Sequence, residues 1–291
     1  MPVLIQGRER DLGEGFQVRR VLPAAQRRSV GPFVFLDHFG PVTLGAGVAM
    51  DVRPHPHIGL ATVTYLFEGA LMHRDSLGSV QRITPGAINW MTAGRGIVHS
   101  ERTPEDLRAT PHRMHGLQLW VGLPQHLEDC APQFSHTPAE QLPAFDLERA
   151  AARVLIGTAW GRASPVAAAS ETVFVHLRLA PDRDLDLPHP ASECAVYAID
   201  QELWVDGTRV PAQTLAVLDG APRHCLRTRA ATQVAILGGE PLDGPRHLWW
   251  NFVSSSPERI QAAAEAWKAH RLGAVPDDST FIPLPDLPPP K

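Results

Sequence analysis

Short apolar or alternating runs recur between residues 30 and 240, among them Val63-Thr64-Tyr65-Leu66-Phe67, Leu117-Gln118-Leu119-Trp120-Val121 and Val173-Phe174-Val175-His176-Leu177. Turn dipeptides separate them: Glu68-Gly69, Pro85-Gly86, Asp206-Gly207 and Asp219-Gly220. Many short strands punctuated in this way predict an all-β sandwich or barrel. The 28 prolines and 23 glycines agree, because proline suits turns and sheet edges and breaks helix interiors.

The pattern also repeats. Laying residue 57 on residue 189 brings Pro56-His57 over Pro188-His189, Tyr65 over Tyr197 and Leu71 over Leu203. After a short deletion, Pro85 falls on Pro211 and Thr92-Ala93-Gly94 on Leu218-Asp219-Gly220. One β-unit used twice is the reading that keeps both apolar positions and turn signals in step. Beyond it, Ser256-Pro257-Glu258 has a helix N-cap followed by proline at the first helical position, which predicts a helix through Arg259 to Arg271 with Gly273 just past its end. Ile260, Ala264 and Trp267 recur at helical spacing and mark its docking face. Pro283-Leu284-Pro285 and Pro288-Pro289-Pro290 read as an extended surface tail.

Composition removes several classes of function. A formal net charge of -4 gives no electrostatic reason to expect nucleic-acid binding. Arg19, Arg20, Arg27 and Arg28 form one basic spot, without interleaved aromatics, and read as a solvated hairpin. Neither an apolar leader within Met1 to Phe16 nor a run of about 18 apolar residues is present. Cys130, Cys194 and Cys225 make no CxxC pair, which fits a reducing, cytoplasmic setting.

The candidate chemistry lies in two triplets, His55-Pro56-His57 and His99-Ser100-Glu101. In a strand, side chains at i and i+2 leave on one face, so each triplet can aim both polar groups into one cavity. Two such strands side by side converge three imidazoles and a carboxylate. Buried groups of this kind need pairing or coordination, and the donor set suits Fe, Ni, Cu, Mn or Zn. Its nearness to the facial triad of two His and one carboxylate points towards non-haem iron and dioxygen chemistry; spacing alone does not choose the metal.

With those residues stand His55-Pro56-His57-Ile58-Gly59, Thr62 to Gly69, His73-Arg74-Asp75-Ser76-Leu77-Gly78, Met91 to Glu101, His115 to Val121, Gly238-Gly239-Glu240-Pro241-Leu242 and Trp249-Trp250-Asn251-Phe252-Val253. Together they resemble the pirin family of the cupin superfamily along essentially the whole chain. The resemblance implies a bicupin: two antiparallel, jelly-roll-like β-barrels, the metal in the first only. It divides the chain into 1–135 as the metal-bearing barrel, 136–250 as a degenerate second barrel, and 251–291 as a helix and Pro-rich tail docked on the barrels. The family's four ligands carry over onto His55, His57, His99 and Glu101. The repeat agrees, since it sets Leu187 on His55, Cys225 on His99 and Arg227 on Glu101.

The resemblance implies Fe(II), with Ni, Cu, Mn, Co and Zn left open, and an oxidoreductase of the quercetin 2,3-dioxygenase type acting on a flavonol-like aromatic. Glu101 is then both ligand and catalytic base for the substrate hydroxyl. The alternative is a non-catalytic metal- or redox-sensing regulator that binds a protein partner; a structural zinc protein is least favoured, since such sites are closed and cysteine-rich. Two positions depart from the family pattern. Ala61 stands where the first cupin motif usually has glutamate, which removes an acid expected near the metal, and Gly122 replaces a frequent asparagine in a loop. A deep apolar pocket around Trp90 and Met91 is expected beside the metal. His73 reads as a hydrogen-bonding group at the barrel mouth, and His38, His112, His115 and His126 as loop or core histidines. His224 and Cys225 read as remnants without partners, and Cys130 as inert for want of a basic neighbour.

Overall fold

The computed structural model describes residues 1–11, 17–188, 191–286 and 289. His189 of the repeat, Pro288 and Pro290 of the tail, and the last part of the segment Met1 to Phe16 lie outside the described residues. The chain forms two compact units, and neither is continuous in sequence. One contains Met1–His38 and Thr137–Pro241, the other Phe39–His136 and Leu242–Lys291. Each unit joins a central stretch of the chain to a terminal segment. The linear division 1–135, 136–250 and 251–291 therefore does not follow the packing.

The unit bearing both triplets is built from two antiparallel sheets. The first has the order Gln133–Thr137, Ile88–Thr92, Leu60–Glu68, His112–Gly122 and the later part of Phe33–Leu44. The second has the order Val52–His57, Ile97–Arg102, Leu71–Asp75 and Val80–Ile83. Both triplets lie on adjacent strands of the second sheet, where His99 stands opposite His55. The Thr64 hydroxyl, on the first sheet, donates to Glu101 on the second at 2.8 Å, so these faces meet across one interior.

The other unit repeats the core of this order. Thr214–Val217, Glu193–Ala198, Thr232–Gly239 and Thr172–Leu179 lie side by side in one sheet. The second sheet runs Arg183–Pro188, Arg223–Thr228, Leu203–Val205 and Thr208–Val210. Its interior is aliphatic: Val154, Val175, Leu185, Leu187, Val196, Leu226 and Ile236 share one buried cluster. The ladder corrects the gapped part of the repeat by one residue, because Leu187 faces His224 just as His55 faces His99. His224 and Leu226 are thus the counterparts of His99 and Glu101, in place of Cys225 and Arg227; a one-residue slip exchanges the two faces of a strand.

The helix spans Pro257–Lys268, with the Ser256 hydroxyl accepting from the Arg259 amide at 3.3 Å. It ends before Arg271. His270 takes a left-handed φ of 54°, while the His270 and Arg271 amides donate to the Trp267 and Ala266 carbonyls. This pair of bonds is a Schellman stop, and no glycine marks it in the sequence. Ile260, Ala264 and Trp267 are buried as their spacing predicts, joined by Ala263, against Ile58, Val98 and Phe252.

The tail is anchored to the ligand strands. Ile282 N–H donates to the Pro54 carbonyl at 2.8 Å, the Trp267 indole donates to the Ile282 carbonyl at 3.0 Å, and Arg102 donates to Asp278 at 2.6 Å. This part of the tail is a strap rather than a free surface segment. Gly59 makes the turn after His57 at a φ of 67°, and a Cβ there would lie 2.0 Å from the Val253 carbonyl oxygen.

Candidate metal centre

His55, His57 and His99 bring one ring nitrogen each to within 4.8 Å of one another, all three side chains buried. Backbone carbonyls determine which nitrogens are bare. His55 Nδ1–H donates to the Arg53 carbonyl at 2.9 Å, and His57 Nδ1–H donates to the Asn251 carbonyl at 3.0 Å. A carbonyl only accepts, so in the neutral rings Nε2 keeps its lone pair.

His99 follows by a longer route. The Asp75 carboxylate accepts from His73 Nε2–H at 3.0 Å; in the neutral ring this leaves His73 Nδ1 as an acceptor facing His99 Nδ1 at 3.4 Å. His99 thereby carries its proton on Nδ1, and its bare Nε2 faces that of His57 at 3.1 Å. Two lone pairs aimed at each other across that distance repel unless a cation lies between them. The donor set therefore fits a divalent metal.

Burial keeps these rings neutral, as ligation demands. It pulls His55 down to about 4, with the Arg53 carbonyl opposing. His57 and His99 are held well below the ordinary histidine range by burial and by neighbouring imidazoles. Burial alone would lift Asp75, but hydrogen bonds from His73 and Ser79 hold its carboxyl below the usual range. It remains an anion that can orient His73.

Glu101 does not join the compact group, which comprises the three imidazoles among the described residues. The ladder shifts register between His99 and Glu101, and the carboxylate is held by Thr64 Oγ at 2.8 Å. Gln118 lies 3.0 Å from the same hydroxyl. Burial raises the Glu101 pKa, with the Thr64 bond opposing. The centre is thus three imidazoles from two adjacent strands, with a buried, tethered carboxylate outside the group on the strand of His99.

Neighbouring residues refine the sequence reading. His73 is buried within the unit, stacked on Phe134 with ring centroids 4.1 Å apart. Met91 stands opposite Thr62 and shares the face of Thr64, whereas Trp90 stands opposite Val63 and faces away. Of the expected pocket wall, Met91 alone is on the interior face. Ala61 shares the outward face of Val63, so a carboxylate there would not enter the interior; the inward position beside it is Thr62. His38, His112 and His115 are buried and His126 is exposed. His224 has partners after all, Asp206 at 2.6 Å and the Asp219 carbonyl at 3.3 Å. Cys130 has a basic neighbour in Arg95, yet burial dominates and raises the thiol pKa. Asn251 and Thr64 went unread in the sequence: the first acts through its backbone, while the second is a polar residue on an inward strand face, a signal that alternation could have supplied.

Comparisons with known proteins agree with this arrangement. The model of the family described as Pirin matches residues 15–121, and that of the Pirin C-terminal cupin domain matches residues 174–273. The chain belongs to the pirin family. A pirin-like protein of Caulobacter vibrioides is 45% identical over 98% of this chain and 99% of its own length. A crystal structure described as quercetin 2,3-dioxygenase from Acinetobacter baumannii matches with a TM-score of 0.92 and 38% identity, covering 99% of this chain and 96% of that one. A bacterial pirin from Escherichia coli, solved in complex with nickel(II), shares the fold at 16% identity with a TM-score of 0.66, over 83% of this chain and all of that one. The protein is a two-barrel pirin with a trihistidine group suited to a divalent metal.

Proposed function

We propose that this pirin is an Fe(II)-dependent dioxygenase that opens quercetin-like flavonols, with His55, His57, His99 and Glu101 as its metal ligands. The observation that carries the reading is the convergence of three bare Nε2 atoms, with a buried carboxylate whose pKa burial raises two residues along the strand of His99. The relative described as a quercetin 2,3-dioxygenase supports the substrate class. Bound iron supplies Lewis acidity and a place for dioxygen.

The protein's own groups supply the rest. Three imidazoles fix one side of the centre, since each ring is held through its far nitrogen. Glu101 accepts the proton of the flavonol hydroxyl next to the carbonyl, and burial strengthens it as a base. Thr64 holds one carboxylate oxygen while the other turns to the substrate. The cytoplasm is the proposed location, in keeping with three free cysteines; no described helix is long and apolar enough to cross a membrane.

The test is quercetin consumption with coupled oxygen uptake by anaerobically purified, Fe(II)-loaded protein, with His57→Ala as control. Turnover that needs the metal and is lost in the variant supports the dioxygenase. Intact metal without turnover overturns it and directs attention to a redox-dependent protein partner.

A further inference from the structure

The hairpin of Arg8–Asp11 and Gln17–Leu22 sorts its charges by face. Alternation puts Arg8 and Arg10 on one side and Glu9 and Asp11 on the other. The ladder sets Arg20 opposite Arg8 and Arg19 opposite Glu9. On the acidic side the polar groups are matched: Arg19 pairs with Glu9 at 2.7 Å, and Gln17 donates to Asp11 at 2.8 Å. The other side carries three guanidinium groups and no acid from either strand. Like charges directly across a ladder oppose pairing.

One counter-charge reaches that face. Asp37, almost fully buried, accepts from Arg20 Nε at 2.9 Å and Nη2 at 2.8 Å. Arg20 also lies over the Phe35 ring at 4.5 Å, so its guanidinium is fixed as well as neutralised. Arg8 and Arg10 have no hydrogen-bond partner among the described residues. Among the described residues, three arginines less one aspartate leave two positive charges unmatched on this face.

All three arginines line one cavity of about 380 Å³, whose other walls include Leu4, Val21 and Pro23. At about 30 Å³ per water, that volume is far more than a single small inorganic anion fills. Guanidinium forks match the paired oxygens of phosphate and carboxylate. Two unmatched forks beside an apolar wall suit a dianion carrying a hydrocarbon part.

We propose that this cavity is a binding site for a small organic phosphate monoester, separate in chemistry from the trihistidine group. Arg8 and Arg10 grip the phosphate, Arg20 is a fixed third donor, and Leu4, Val21 and Pro23 cover the organic portion.

Calorimetric titration of the full-length, metal-loaded protein at constant ionic strength tests it, with phenyl phosphate and inorganic phosphate as probes. We expect saturable one-to-one binding of both, phenyl phosphate the tighter. The Arg8→Gln/Arg10→Gln double variant should weaken binding by at least about tenfold, the scale of losing a charge-assisted hydrogen bond. Both positions are solvent-facing, so the variant should fold. His57→Ala should bind the probes as the parent does, which separates this cavity from anion capture at the metal. Absence of saturable binding, or equal affinity in the double variant, overturns the site. Equal affinity for the two probes would overturn the organic portion and leave a site for free phosphate.

Discussion

His99 Nδ1 lies 3.4 Å from His73 Nδ1, and through that contact the Asp75 carboxylate governs which nitrogen of His99 is free. His73→Phe keeps a flat ring on Phe134 but removes the acceptor. Metal affinity should fall by about 10- to 100-fold, the usual cost of losing a ligand's orienting partner. Competition with a chromogenic chelator measures it; unchanged affinity would mean that His99 is positioned without His73.

Thr64→Val leaves the three imidazoles in place and unties Glu101. Iron content per chain should match the parent, while flavonol turnover should fall by about 10- to 100-fold, part of what a positioned base contributes. Elemental analysis and oxygen uptake on the same preparation separate the two effects. Full turnover would remove Thr64 from the reaction.

Glu128 is a buried anion with Arg246 as its buried partner, 2.9 Å apart. It also accepts from Ser254 Oγ and the Ser255 amide, both at 2.8 Å, which fastens the C-terminal segment to the metal-bearing unit. Glu128→Ala leaves the buried Arg246 with Asp243 as its remaining acid and removes the acceptor of Ser254 and Ser255, and should cost about 1–3 kcal/mol. Urea unfolding of parent and variant reads this directly.

Acid sensitivity should arise in the second barrel as well. Burial, helped by the Arg178 charge, pulls His176 down to about 3 from its ordinary 6.5. Between those values the unfolded chain binds the proton and the folded chain does not. Its contribution to stability is therefore complete above pH 6.5 and is lost as pH falls towards 3. From pH 7 to pH 5 this one group should cost about 2 kcal/mol. His176→Gln should flatten the stability profile by that amount; an identical profile would assign the acid sensitivity to other groups.

The histidines of the triplets were legible because the two-residue strand period puts His55 and His57 on one face, next to His99 across the ladder, whereas Glu101, past a register shift, lies outside their group. The duplicated β-unit was legible for the same reason, through turn signals bracketing alternating runs. What escaped depended on register or on backbone. A one-residue slip hid His224 as the counterpart of His99, and strand faces, which separate Met91 from Trp90 and Ala61 from Thr62, became visible only in the ladder. The helix stop at His270 escaped because a left-handed histidine does there what glycine usually does. Asn251 escaped because a carbonyl oxygen has no residue identity.

That carbonyl gives the centre an order in time. His57 comes off the ribosome early, but the atom that orients its ring belongs to residue 251, and the strap that bonds Pro54 arrives only with Ile282. The orientation of an imidazole in the first barrel is thus written nearly two hundred residues downstream of the imidazole itself.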